Sequence, residues 1–448
     1  MHRALTTIER SFLAMAERMV MNPVVMVRCR GTLPPDALRS AIERVQARHD
    51  ALRVRIVRDA SPWFSPRGVG VAPLRIVNRR DEHHWQQVVR EELNDPFDVE
   101  RGPLVRFVLV QGADACELLC VTDHVNADGR SGLFVLRDVL RLVDDPSRRL
   151  VPLPDAGCLD ERLPGGVFDL GRVPRALRGI MGDRSRWLTQ ARAAYRDERR
   201  RLQGVPPPPA TARPRIDFVH HPLDPERTRA LVQACRAHDN TVQGALTIAC
   251  AHALAHVRGH LVRRRRPKIG RISPIDIRSA LEPSVGEHFG IFAWAPTSVH
   301  RPHVGADFWD LASAARASLA RARRPWALAG LRRVIDAVEM LDLPLDGSSR
   351  WPHAMFDASM VVSNLGRIEI PRRVSATEIR SFGFFAMIPN VDFVLGVQTL
   401  DQLELDFSYC PERIDAAAVK RIAVEVEAIL DAAIGGTPRG CARQLGFR

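Results

Sequence analysis

The sequence predicts a mixed α/β protein built in two halves, and three observations carry that prediction. The chain of 448 residues is too long for one ordinary core and suits roughly two domains of about 200 residues each. Strand-like apolar runs alternate with amphipathic helical segments along its whole length. Prolines and glycines thicken between residues 151 and 174 and again at 204 to 215, where four consecutive prolines favour an extended spacer. Residues 1–175 then form an N-terminal half, 176–215 a helical and proline-rich linker, and 216–448 a C-terminal half.

The elements follow in order. Val24 to Arg28 reads as a strand. Pro34-Pro35 opens a helix that sets Leu38, Ile42 and Val45 on one face, with proline in the first turn where its missing N–H costs nothing. An alternating strand, Leu52 to Val57, follows. Leu104 to Val110 and Glu117 to Thr122 are two further apolar runs, and the second leads through a polar knot into a helix-like stretch. In the other half, residues 223–239 echo 33–50 with a proline start, helical apolar spacing and an aspartate finish. Asn240-Thr241 can cap a helix over 242–257 whose residues are nearly all apolar or small, which marks a core helix. Strands are expected at Lys268–Ser273, Met360–Ser363, Phe393–Thr399 and Leu403–Ser408.

Composition removes several function classes. With 46% hydrophobic and 26% charged residues the chain is globular in type. No apolar run reaches the roughly 18 residues that a membrane span needs, and charges interrupt MHRALTTIERSFLAMAERMV where a signal peptide is apolar. A cytoplasmic protein is expected. The eight cysteines form no CxxC pair and do not alternate with histidines at zinc-finger spacing, so they read as reduced core residues. A net charge of +13 invites a nucleic-acid partner, yet every basic residue except Lys268 and Lys420 is arginine, a bias of genomic type. The densest basic run, Arg263 to Arg266, reads as a solvated loop, and no nucleic-acid partner is expected.

Familiar catalytic signatures are missing. No stretch matches a Walker loop, and Gly68-Val-Gly70 leads into Ala72-Pro73 rather than a helix. Gly129-Arg-Ser131-Gly132 lacks the spacing of a nucleophile elbow, which leaves Ser131 as a helix-start residue. His252, His256 and His260 share a helical face, but the first two sit in an apolar helix without a carboxylate, so no metal is expected. The pairs His83-His84 and His220-His221 read as surface residues. His124 differs. It stands in VTDHVNADGRSG (121–132), at the exit of an apolar strand that holds its last residues rigidly, with Gly129 to ease a turn and Asp128 to anchor the loop or orient the ring.

Several segments resemble the condensation-domain superfamily, which includes acyltransferases related to chloramphenicol acetyltransferase. Arg48-His-Asp-Ala-Leu52-Arg53 resembles its RHxxLR element, and Pro96-Phe97-Asp98-Val-Glu-Arg-Gly102-Pro103-Leu104-Val-Arg106 its PFDxxxGPLxR element. Residues 123–129 resemble its HHxxxDG signature. Downstream, Pro274-Ile-Asp276-Ile-Arg278 is similar to its P(V/I)DLR strand end, Phe289-Gly290-Ile-Phe292 to its GxF element, and Ser363-Asn364-Leu365-Gly366 to the SNLG stretch of ester-forming members. The resemblance spans nearly the whole chain.

It implies two chloramphenicol-acetyltransferase-like α/β subdomains in a pseudo-dimeric V, with a channel between them. By position, His124 would be the general base, Asp128 would make a structural salt bridge to Arg278, and Gly129 would let substrate approach. Asp123, Ser363 and Asn364 would border substrate. Asp123 stands where the signature has its first histidine, and it would raise the base's pKa or exclude some substrates. The YxDYAxW-like and RDxSRNPL-like segments of modular peptide synthetases are not visible, which favours a free-standing enzyme. The implied activity is transfer of an acyl group from a phosphopantetheine thioester, on an acyl or peptidyl carrier protein or on CoA, to an alcohol, giving an ester. No cofactor is bound permanently, and the protein would be a monomer. An amine acceptor, giving an amide, and a non-catalytic binding partner of a synthase are the alternatives.

Overall fold

A computed structural model describes residues 1–157, 159–163, 213–259, 269–302, 306–340, 358–367 and 369–435. Two six-stranded mixed sheets organise them. The first runs Arg373–Val374, Thr377–Phe385, Val24–Arg30, Ala115–Thr122, Val105–Gln111, Leu74–Asn78 from edge to edge. The second runs Thr297–His300, Ile269–Ile272, Met360–Arg367, Phe393–Thr399, Leu403–Tyr409, Asp217–Pro222. The strand carrying the chain toward His124 is central in its sheet, paired on both sides, and nearly every side chain is buried. That explains why Cys116 to Thr122 reads as a continuous apolar run rather than an alternating one.

Helices Pro35–Arg48 and Gly129–Asp144 cover one face of the first sheet, burying Leu38, Ile42, Val45, Leu136, Val139 and Leu140 against it. Each such side chain contributes about 1.5–3 kcal/mol when taken fully from water. Helix His84–Asn94 covers the other face with Trp85, Val88 and Val89. On the second sheet the helix Val242–Val257 lies between Phe308–Ala322 and Ala416–Ile434. It is enclosed nearly all round, which is why it has no polar stripe.

Thr377–Phe385, late in the sequence, pairs antiparallel with Val24–Arg30 in the sheet of the early residues. Where the two sheets meet, the backbone N–H of Phe384 donates to Asp406 Oδ2 at 3.1 Å. A Cβ on Gly396 would stand 2.0 Å from the Phe384 carbonyl oxygen, so only glycine fits this crossing. A shared apolar cluster, including Met26, Phe218, Val361, Phe385 and Val394, fills the space between the sheets.

Three local expectations are corrected. His220 is half-buried rather than on the surface: residues 217–222 form an edge strand, and His220 Nδ1 lies 2.7 Å from the buried Asp406. His221 Nε2 lies 2.6 Å from Glu427 Oε2. His84 is buried, not on the surface. The expected linker helix, His260 and the Arg263–Arg266 run lie outside the described residues, as does all but the end of the 204–215 spacer. No described helix is long and apolar enough to cross a membrane. The six described cysteines are free and buried.

Candidate active site

The loop 123–128 connects a central strand to the helix Gly129–Asp144, and backbone bonds fix its path. The Asp123 N–H donates to the Leu104 carbonyl at 3.1 Å and the His124 N–H to the Met21 carbonyl at 3.0 Å. Asn126 Nδ2 donates to the Ala51 carbonyl at 3.1 Å, which ties the loop to the Arg48–Arg53 segment. Asp123 Oδ1 accepts the Val125 N–H at 2.9 Å.

His124 Nδ1 lies 2.7 Å from the Ala127 carbonyl oxygen. A carbonyl only accepts, so Nδ1 carries the proton and Nε2 is left with its lone pair. The Phe12 ring packs on the imidazole with centroids 4.4 Å apart and planes tilted by 33°. Burial pushes the imidazole below its ordinary 6.5, opposed by the Ala127 carbonyl and the Asp128 charge. The ring is therefore neutral at pH 7, as a proton acceptor must be.

His124 lines a cavity of about 260 Å³ together with Phe12, Gly129, Arg278, Ser363, Asn364 and others, from both halves of the chain. Its wall is mostly apolar, with Met15, Ile272, Ile291, Leu365, Phe384 and Val394 among the lining residues. Asn364 Oδ1 accepts the Gly366 N–H at 2.8 Å. Asp123 is not among the cavity-lining residues. Its buried carboxyl is pushed up to about 6 by burial, against the pull of the Val125 N–H and the charges of Arg106 and Arg58.

Asp128 and Arg278 hold the loop to the other half. Arg278 Nη2 donates to Asp128 Oδ1 at 3.0 Å, and Nη1 stands 3.0 Å from Oδ2. Asp128 also accepts the Ser131 N–H at 2.8 Å, capping the helix, and the Phe292 N–H at 2.9 Å. Burial alone would raise the Asp128 carboxyl; the charge and hydrogen bonds of Arg278, with the two N–H donors, outweigh it and leave it below the usual range. Arg278 is raised in turn: burial lowers it, and Asp128 and Asp276 more than reverse that.

Sequence reasoning missed two parts of this joint. Ser131, read as a helix start, donates its hydroxyl to the Gly290 carbonyl at 2.7 Å and accepts from Arg278 Nη2 at 2.9 Å. Arg137 binds Glu287 with two contacts of 2.6 Å. The Phe289–Phe292 resemblance was the available signal, because it marks the segment that lies against the loop. Gly129 also works differently from the expectation of a special turn. Its φ is not positive; a Cβ there would stand 2.8 Å from Phe384 Cζ and 2.9 Å from Leu365 Cδ2.

Among the described residues no group of three or more His, Cys, Asp or Glu is placed to hold a metal. His256 Nδ1 lies 2.8 Å from Glu425 Oε1, so the apolar helix does have a carboxylate facing it, from Ala416–Ile434.

A two-subdomain α/β fold with one histidine-bearing loop between the halves defines the class, and comparison with known proteins defines the family. Residues 13–144 match the family model described as Condensation domain, and residues 212–396 that described as Phthiocerol/phthiodiolone dimycocerosyl transferase C-terminus. The chain belongs to the superfamily of condensation domains and related acyltransferases. Malpinin synthetase of Mortierella alpina is 26% identical over 250 residues, which is 52% of this chain and 3% of that protein. The chain thus spans a small part of the curated relatives it matches. In fold it is similar to the first condensation domain of the CDA synthetase, with TM-score 0.67, 16% identity and 98% and 97% of the two chains covered. It is also similar to polyketide synthase associated protein 5 from Mycobacterium tuberculosis, with TM-score 0.59, 15% identity and 96% and 98% covered.

Proposed function

We propose that the protein is an acyltransferase that moves an acyl group from a carrier-protein or CoA thioester to an alcohol, forming an ester by direct transfer. One observation carries the reading: His124, with Nδ1 committed to the Ala127 carbonyl, stands on the wall of a largely apolar cavity formed by both halves. An alcohol is protonated at neutral pH and attacks a thioester only as its proton leaves. Nε2 takes that proton while the oxygen bonds to the thioester carbon. The C–S bond then breaks as the tetrahedral carbon collapses, and the imidazolium returns the proton to the departing thiolate. No acyl-enzyme forms, and both substrates are bound together.

General-base assistance of this kind contributes about 10² to 10⁴ in rate, and confinement of two reactants in one cavity adds to it. The apolar wall suits an acyl chain. Ser363 and Asn364 supply polar groups that orient substrate, and Asp128 with Arg278 keeps the loop in place. The second family model, named for a phthiocerol/phthiodiolone dimycocerosyl transferase, favours acyl transfer. A carrier protein is the proposed donor partner, since a chain of net charge +13 attracts an acidic protein. The synthetase relatives favour a second reading, in which the acceptor is an amine and the product an amide.

Purified protein incubated with an acyl-carrier or acyl-CoA thioester and a panel of alcohols and amines decides between these readings. Ester products support the first and amides the second. Absence of any product with every donor and acceptor leaves only the non-catalytic binding role.

A further inference from the structure

The charged groups lining the cavity are unequal in number. Arg130, Arg278 and Arg323 face Asp128 and Asp276, with His124 neutral. Both carboxylates are already engaged. Asp128 accepts from Arg278, Ser131 and Phe292. Asp276 Oδ1 accepts from the Arg278 backbone and side chain at 3.1 Å, and its Oδ2 lies 3.3 Å from Arg130 Nε. The terminal nitrogens of Arg130 therefore carry no hydrogen bond to a described residue. Arg323, at the end of helix Phe308–Ala322, has no carboxylate partner among the described residues. It is exposed while lining the cavity, and so stands where the cavity opens to solvent.

We propose that Arg130 and Arg323 form an anion subsite at the mouth of the cavity, taking an oxyanion group, phosphate or carboxylate, on one of the two substrates. A guanidinium presents parallel donors that match such a group. Arg278 is not part of this subsite, because both of its terminal nitrogens are engaged in the joint between the halves. Two sources supply the chemistry: the phosphate of a pantetheine arm, or a carboxylate on the acceptor. The identity of the ligand rests on the acyl-transfer reading; the subsite does not.

Calorimetric titration of the full chain at fixed ionic strength tests it with two matched pairs of probes. Octanoyl-pantetheine and octanoyl-phosphopantetheine differ by the phosphate, and hexanol and ω-hydroxyhexanoate differ by the carboxylate. In one pair the anionic member is expected to bind about tenfold tighter than its neutral twin. That advantage is expected to fall to less than about twofold in Arg323→Gln and in Arg130→Gln, both at partly or fully exposed sites. The pair that responds names the source. Equal affinities within both pairs, or an advantage that survives in the double variant, overturns the proposal. Because the readout is binding, failure to turn over any thioester would defeat the acyl-transfer reading while leaving this result standing.

Discussion

Asp128 and Arg278, 150 residues apart, meet through two contacts of 3.0 Å and join the His124 loop to the opposite half of the molecule. Both side chains are almost fully buried, so removing one partner strands a charge. Arg278→Ala is expected to destabilise the protein by about 3–5 kcal/mol, measured by denaturant unfolding. Arg316→Ala, which breaks an exposed pair with Asp239, is expected to change stability by less than about 1 kcal/mol. Similar losses in the two variants would contradict the role given to the buried pair.

In the proposed mechanism the His124 pKa sets the acid limb of activity. Burial holds the imidazole below 6.5, so its free-base form persists to lower pH than that of an exposed histidine. The kcat/KM profile is expected to fall on the acid side with a midpoint below 6.5. A midpoint above that value would place another group in control.

Asp123 gives a stability effect of opposite sign to that of an ordinary paired aspartate. Its folded value of about 6 lies above the unfolded 3.8, so the folded state holds the proton more tightly and loses stability as pH rises between the two. A shift of this size corresponds to about 3 kcal/mol. Asp123→Asn keeps an oxygen for the Val125 N–H and removes the buried charge. It is expected to raise stability by about 2–3 kcal/mol at pH 8 and to have little effect at pH 4, read from unfolding curves at the two values.

Two glycines differ in what blocks a side chain. At Gly396 a Cβ meets backbone at 2.0 Å, and at Gly129 it meets the side chains of Phe384 and Leu365 at 2.8 and 2.9 Å. Side chains can shift where a sheet backbone cannot. Gly129→Ala is expected to cost about 1–3 kcal/mol and to narrow the cavity, whereas Gly396→Ala is expected to cost more and to lower the yield of folded protein. Thermal melts of both variants check the order.

The sequence made most of the elements and the loop readable, for physical reasons. Proline in the first turn and apolar spacing marked helix Pro35–Arg48, and an unbroken apolar run marked the central strand before His124. What it hid were relations made only by packing. Thr377–Phe385 lies in the sheet of the early residues, and no local pattern announces which sheet a strand will join. Phe12 lies on helix Thr7–Ala16, and its contact with His124 depends on where that helix docks. His220 looked like a surface residue because its partners, Asp406 and Glu404, come from a strand more than 180 positions away. Asp123 stood out as a departure in the signature, yet its burial and its turn-forming bond to Val125 were visible only once the loop was folded.

In the proposed mechanism His124 Nε2 takes the acceptor's proton during direct transfer. The decisive measurement compares wild type and His124→Ala in single-turnover reactions with an acyl thioester and an alcohol, following ester formation and the intact mass of the protein together. Wild type is expected to form ester with no mass increase, and the variant to react more slowly by about 10² to 10⁴. Equal rates in the two proteins, or an acyl group retained on the wild-type chain during turnover, would contradict that mechanism.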